Sequence, residues 1–258
     1  MIIDRQRVIT AFREYVSAYD ADDIKIKLKT DHTFRVAAFC HRIAKGEGLD
    51  TELSWLCGML HDIGRFEQVR RFGTFNDALS VDHAVFGADL LFKEGLIGRF
   101  ATDLSDEERC TVETAIRLHS RYRLPDGIPE GRLKYCKLLR DADKIDILYV
   151  NSMIPPEDIY DIPEERFRTS KVSEEVRQCF LNGETVLRSI RKHPADYIVG
   201  QVCLAFEIEF PESRRIAKQQ GNIEKILSFE PEDPDTAEWF GYMRANFWNI
   251  IDSKYNDQ

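Results

Sequence analysis

The stretch Leu60-His61-Asp62-Ile63-Gly64-Arg65 joins an imidazole to a carboxylate at the end of an apolar run, just ahead of a glycine. The preceding Leu53, Leu56, Cys57 and Leu60 recur at helical spacing, so the His-Asp pair falls on the last turn of a helix whose apolar face reaches the core. An ionised carboxylate buried there costs several kcal/mol unless a cation or hydrogen bonds compensate. Asp62 therefore needs partners from elsewhere in the chain.

Outward from that stretch, almost every segment carries a 3.6-residue apolar period and none sustains strand alternation, which predicts an all-α protein. A first helix is expected over about Arg5 to Tyr19. A second runs from about Ile24 or Thr30 to Lys45, aligns His32, Arg35, Val36, Phe39 and Ile43, and stops at Gly46 and Gly48. The third opens at Asp50 or Thr51 and ends on the His-Asp pair. A loop is expected between Arg65 and Leu79, then a helix from near Ser80 with His83 in its first turn. Ser105-Asp106-Glu107-Glu108 has the form of a capping box and opens a helix whose inner stripe is Val112, Ala115, Ile116 and His119. A sixth helix, from about Arg132 to Val150, aligns Cys136, Leu139, Asp143 and Ile147. Pro155, Pro156 and Pro163 mark residues 151–170 as a loop or lid. Short helices follow over about Ser173 to Leu181, Glu184 to Lys192, Ala195 to Glu209 and from Pro211. A last one, from Asp235 to Asp252, presents Trp239, Met243, Phe247 and Ile250 as its packing stripe. No Gly/Ser-rich linker interrupts the 258 residues, so they read as one unit, with a core over about 28–150 and a C-terminal helical extension over 151–258.

The formal charge of −9 argues against a nucleic-acid polymer as partner, because a basic face supplies most of such affinity. A small anion remains compatible if a metal and local cations reverse the field inside one cleft. The six cysteines are dispersed and form no C-x-x-C pair, as expected of reduced thiols in the cytoplasm. No apolar run approaches the ~20 residues of a membrane span.

Six polar side chains fall on inward faces of five helices: His32, His61, Asp62, His83, His119 and Asp143. A lone histidine on an apolar face is more often a hydrogen-bonded core residue than a ligand, but six such groups would leave a core full of unsatisfied polar atoms unless a cation met them. Imidazole and carboxylate suit divalent transition metals, Fe, Mn, Zn, Co or Ni, as one or two ions, and a carboxylate such as Asp62 can bridge two. Asp82, Asp141 and Asp146 flank these positions without sharing their direction, and His41 and His193 fit none of them. The aromatics Trp239, Phe240, Phe247 and Trp248 read as core, and Tyr122 is a stacking candidate by location alone.

The order His32, His61-Asp62, His83, His119, Asp143, with the contexts His32-Thr33-Phe34-Arg35-Val36, Gly58-Met59-Leu60-His61-Asp62-Ile63-Gly64, His83-Ala84-Val85-Phe86-Gly87 and Asp141-Ala142-Asp143-Lys144-Ile145-Asp146, resembles the HD-domain superfamily of metal-dependent phosphohydrolases over about residues 28–150. The resemblance implies an HD helical bundle with further C-terminal helices packed on it. It also implies a first metal on His32, His61, Asp62 and Asp143, and a second on Asp62, His83 and His119. No glycine-tyrosine-proline signature follows the histidines, and the Glu-Asp of alarmone hydrolases is absent after Asp62. The same ligand order resembles the di-iron oxygenases of the superfamily, which cleave C–C or C–P bonds, and a non-catalytic ligand sensor is a third reading.

Cations decide among these readings. Arg35 lies one turn from His32, Lys144 adjoins Asp143, and Arg65, Arg70 and Arg71 follow Asp62. Such groups form charge-assisted hydrogen bonds with phosphoryl oxygens. The expected function is thus hydrolysis of a small anionic phosphorylated metabolite or nucleotide by metal-activated water, with Asp62, Lys144 and Arg35 as the residues carrying the chemistry.

Overall fold

A computed structural model describes residues 3–256. Every long regular element among them is a helix and none is a strand, as the periodicity requires. The chain divides into two compact units, Met1–Asp143 and Lys144–Gln258, which are described in turn.

The first unit begins with α1, Arg5–Val16, capped by the Asp4 carboxylate on the Arg7 N–H. α2, Ile24–Glu47, is capped by Asp23 and closes on Gly48, whose φ of 67° is the left-handed conformation a glycine C-cap supplies. α3, Thr51–Leu60, is opened by the Asp50 carboxylate, which accepts from the Glu52 and Leu53 N–H groups. α4 covers Ile63–Phe72, α5 His83–Phe92 and α6 Ile97–Phe100. α7, Asp106–Leu118, carries the full Ser105/Glu108 capping box, and α8, Glu130–Met153, runs past the unit boundary. Phe12 is fully buried, with the rings of Phe34 and Phe66 edge-on to it at 5.5 and 5.7 Å.

α4 corrects the expectation of a loop after Arg65. Gly64 stands in the first turn of α4, where the backbone of α5 leaves no room for a side chain. The signals of a helix were nonetheless present: Ile63 and Phe66 are buried, Glu67 meets Arg71 four residues on, and Gly73 ends the element with a φ of 68°. The fourth expected helix starts at His83 rather than Ser80, because the Asp82 carboxylate caps it on the Ala84 and Val85 N–H groups.

In the second unit, residues 151–170 are not an irregular loop. They hold α9, Pro156–Tyr160, and α10, Glu164–Arg168. Pro155, Pro156 and Pro163 sit at the entries to these helices, where a missing N–H costs nothing. α11 covers Glu174–Leu181, and the helix expected over Glu184 to Lys192 is reduced to a 3-10 turn at Arg188–Ile190. Thr185 and Val186 are β-branched, and Pro194 holds His193 extended at φ −124° and ψ 153°. α12, Pro194–Cys203, gives way to a 3-10 turn over Leu204–Glu207, and is followed by α13, Pro211–Gln220, α14, Asn222–Leu227, and α15, Pro234–Asn256. The buried stripe of α15 is Phe240, Met243, Phe247 and Ile251, so Trp239 and Ile250 stand at its edge. Phe247 stacks on Phe206 at 5.2 Å and meets Phe180 at 6.3 Å.

Candidate metal centre

Two close helix approaches bring the polar side chains together. A Cβ on Gly58 would lie 2.6 Å from the Ala37 Cα, so α3 can press against α2 and set His61, just past the end of α3, beside His32 of α2. A Cβ on Gly64 would lie 2.5 Å from the His83 carbonyl oxygen and 2.7 Å from the Gly87 nitrogen. α4 therefore rests directly on α5 and brings His83 to Asp62. His119 follows the last residue of α7, and Asp143 belongs to α8. Asp62 interrupts the helical path, with φ −104° and ψ 16°, at the N-cap of α4. Its carboxylate makes no capping hydrogen bond and turns instead into the cluster.

The two oxygens of Asp62 face different sets of donors. His32 Nε2 and His61 Nε2 lie 3.5 and 3.4 Å from Oδ2, and Asp143 Oδ1 lies 3.1 Å from His32 Nε2 and 3.8 Å from His61 Nε2. Oδ1 faces His83 Nε2 at 3.4 Å and His119 Nε2 at 3.7 Å. His32, His61 and Asp143 could hold one ion through ligand atoms all within 4.8 Å of one another, and His61, Asp62 and His119 meet the same limit. Six residues expected from the sequence as ligands are thus drawn to one place.

Hydrogen bonds at the far side of three of the four rings fix which nitrogen faces inward. His61 Nδ1 donates to the Gly58 carbonyl at 2.7 Å, and His119 Nδ1 to the Ile116 carbonyl at 2.7 Å. His83 Nδ1 donates to Asp77 Oδ2 at 2.6 Å. A carbonyl or an ionised carboxylate only accepts, so the proton stands on Nδ1 and the Nε2 lone pair points into the cluster. Burial favours the neutral form of two of these imidazoles: it pushes the pKa of His61 down, and that of His83 to about 4 despite the carboxylates of Asp77 and Asp62. Burial raises the carboxylates, but at Asp62 the Lys29 ammonium and His61 outweigh it and hold the group well below the usual range. Asp143 is likewise held ionised, by its hydrogen bond with His32.

The donor set fits divalent cations. His83 Nε2 and His119 Nε2 lie 3.1 Å apart, and both present lone pairs. Two acceptors at that distance repel unless a positive centre lies between or beside them. Asp62 Oδ1 is buried and meets no hydrogen-bond donor among the described residues, an arrangement that costs about 1–3 kcal/mol if nothing compensates it. Nitrogen and oxygen donors of this kind, without a cysteine, suit Zn, Mn, Fe, Co or Ni.

Two residues that belong to this centre were not legible as such. Lys29, one turn before His32, places its ammonium 2.6 Å from Asp62 Oδ2. Asp77 accepts from His83 through Oδ2, while its Oδ1 accepts from Arg65 Nη1 at 2.7 Å and Gln68 Nε2 at 2.9 Å. Helical spacing from His32 could have indicated Lys29. Asp77 lies in an irregular segment, where spacing carries no direction.

The cations expected to meet phosphate separate on inspection. Arg65 is taken up by Gln68, the Phe75 carbonyl and Asp77, with its Nε 3.7 Å from Asp62 Oδ1. Arg70 and Arg71 both pair with Glu67. Arg35 is half-buried on α2. Lys144 is buried, and its ammonium lies 3.1 Å from Glu207 Oε2. Asp82 caps α5, Asp141 and Asp146 are buried, His41 Nδ1 meets Arg5 Nη2, and Tyr122 is exposed.

A helical unit whose histidines and aspartates converge on one shared carboxylate is a candidate metal-binding domain. The family model of the HD domain matches residues 30–148, and this chain carries an HD domain there, in a superfamily of metal-dependent hydrolases. No curated protein and no solved structure matches the chain closely enough to add a relative. Among the described residues, no helix is long and apolar enough to cross a membrane.

Proposed function

We propose that the centre hydrolyses a phosphoester of a small phosphorylated metabolite or nucleotide. The observation that carries this reading is the placement of cations at Asp62: the Lys29 ammonium is 2.6 Å from one oxygen, and the Arg65 Nε is 3.7 Å from the other. Divalent ions held by the six ligands would act as Lewis acids toward a phosphoryl oxygen and supply a water whose pKa is lowered towards ~7.

The chain's own residues do the rest. Asp62 shares its two oxygens between the donor sets and fixes their spacing. Asp143 completes the set of His32 and His61, and Asp77 holds His83 in the tautomer that offers Nε2 inward. Lys29, about one-fifth exposed, is placed to meet a phosphoryl oxygen entering at Asp62. Arg35, one turn from His32, and Lys144, next to Asp143 in the sequence, would bind the same substrate.

The test is phosphate release from nucleotides, sugar phosphates and model phosphodiesters by protein loaded with Mn, Co or Ni under anaerobic conditions. Turnover is expected with at least one of these esters. No release across the panel, together with dioxygen consumption on a polyol or phosphonate by the iron-loaded protein, overturns the proposal in favour of an oxygenase. Arg35→Ala and Lys144→Ala should raise KM or lower kcat with the metals retained, and unchanged kinetics would remove both residues from the reaction.

A further inference from the structure

A second cleft, of about 520 Å³, opens in the first unit among residues of α1, α4 and the α5–α6 region, and none of the six metal-centre residues lines it. Its volume lies within the ordinary range for a small-molecule site. Three guanidinium groups line it, those of Arg70, Arg71 and Arg99, each about half exposed. Glu14, Glu67 and Glu94 line the same cleft, so its cations match its carboxylates in number, whereas the chain as a whole carries a formal charge of −9.

Two of these arginines are held in place from below. Glu67 is buried, and its carboxylate accepts from Arg70 Nη2 at 2.7 Å, from Arg71 Nε, and from the Tyr19 hydroxyl at 3.1 Å. The Arg70 guanidinium also lies 5.2 Å over the Tyr19 ring, and that of Arg71 5.3 Å over the Phe86 ring. Among the described residues, each arginine reaches Glu67 through a single nitrogen, so the other N–H groups of both forks remain for a ligand. Among the described residues, Arg99 is engaged only by Glu14, at 3.8 Å. Guanidinium groups fixed in this way match a phosphate monoester.

The other walls define the body of the ligand. Ala18, Leu90 and Leu96 are apolar, and Tyr15 and Tyr19 present rings with centroids 5.3 Å apart. Glu14 and Glu94 stand exposed along the same cleft. They can accept from amino or ring N–H groups. An anion clamp, an apolar and aromatic wall, and carboxylate acceptors together suit an aminated heteroaromatic phosphate.

We infer that this cleft is a second ligand site, separate from the metal centre, for a nucleoside monophosphate. Its floor touches the element that carries the centre: the Tyr15 hydroxyl donates to the Ile63 carbonyl at 3.3 Å, one residue beyond Asp62. Glu67 and the two arginines stand on α4, which begins at Ile63. An occupant of the cleft would therefore act as an effector on the packing of α4.

The experiment is calorimetric titration of the full chain with adenosine 5′-monophosphate in excess EDTA, where no turnover occurs, with adenosine and inorganic phosphate as separate arms. The nucleotide is expected to bind one site per chain, and more tightly than either fragment. Ala18→Trp, which puts bulk into the cleft at a position that itself makes no hydrogen bond to Glu67, and Arg99→Ala should each weaken it at least tenfold, whereas His83→Gln should leave it unchanged. No heat from the nucleotide up to about 1 mM, or an affinity that survives both cleft variants, overturns the site. Loss of binding on His83→Gln would place the nucleotide in the metal centre instead and would count for the hydrolase reading alone.

Discussion

Asp77 shows how a single side chain sets the second half of the metal centre. One carboxylate fixes the His83 tautomer and is itself held by Arg65 and Gln68. Loss of such a supporting carboxylate typically weakens metal binding about 10–100-fold. Asp77→Asn should therefore lower affinity for the ion at His83 and His119 while leaving the ion at His32, His61 and Asp143 in place, as read by competition with a chelating dye. Equal loss of both ions would contradict this division. Protonation follows the same residues. Burial lowers the His83 pKa to about 4 from an unfolded value near 6.5. Between those values the unfolded chain binds more protons than the native one, so the stability contributed by neutral His83 is complete above about pH 6.5 and lost as pH falls towards 4. Asp62 and Asp143, both depressed, add losses of the same sign at lower pH. Thermal melts of EDTA-treated protein should fall steadily from pH 7 to 4.5, and less steeply in His83→Gln. A melting temperature independent of pH over that range would contradict the assignment.

At the scale of the element, the glycine contacts around the His-Asp pair control the geometry. A methyl group on Gly64 would meet backbone atoms of His83 and Gly87, which cannot swing aside as a flexible side chain can. Overpacking of this kind costs about 1–3 kcal/mol, so Gly64→Ala should destabilise the protein by at least that much and weaken metal binding at His83. Gly98, in α6, has nothing within 4 Å of its Cβ position, and Gly98→Ala should be neutral or stabilising by up to about 1 kcal/mol. Urea denaturation of the two variants makes the comparison, and equal stabilities would refute the role given to the α4–α5 contact. Gly64 also marks the limit of what periodicity reveals. The apolar stripe and the Ser105 cap placed α7 correctly, since both are local signals. The close approach that requires a glycine inside α4 is a tertiary fact, which no local signal carries. Pro156 misleads, opening a helix where proline suggested a lid. Asp77 was illegible for a third reason: no helical face gives its segment a direction.

Across the whole molecule, the histidines and aspartates of the centre could be read early because their positions rest on the 3.6-residue period of long helices. The C-terminal half yielded less, as its short helices are set by mutual packing, and the inner stripe of α15 keeps Met243 and Phe247 but has Phe240 and Ile251 where Trp239 and Ile250 were expected. The expectation that residues 1–258 fold as one unit belongs to this scale. α8 runs through the point where the two units divide, so cleavage there would have to break a helix. Limited proteolysis should yield no pair of stable fragments over 1–143 and 144–258, and thermal unfolding should be a single transition. Two separately stable halves would contradict it.

The central claim is that two sets of donors share Asp62, and metal stoichiometry tests it most directly. Mass-spectrometric metal analysis of anaerobically purified protein should find two ions per chain in the wild type, one in His119→Ala and none in Asp62→Ala. A single ion in the wild type, or full occupancy after His119→Ala, would contradict it.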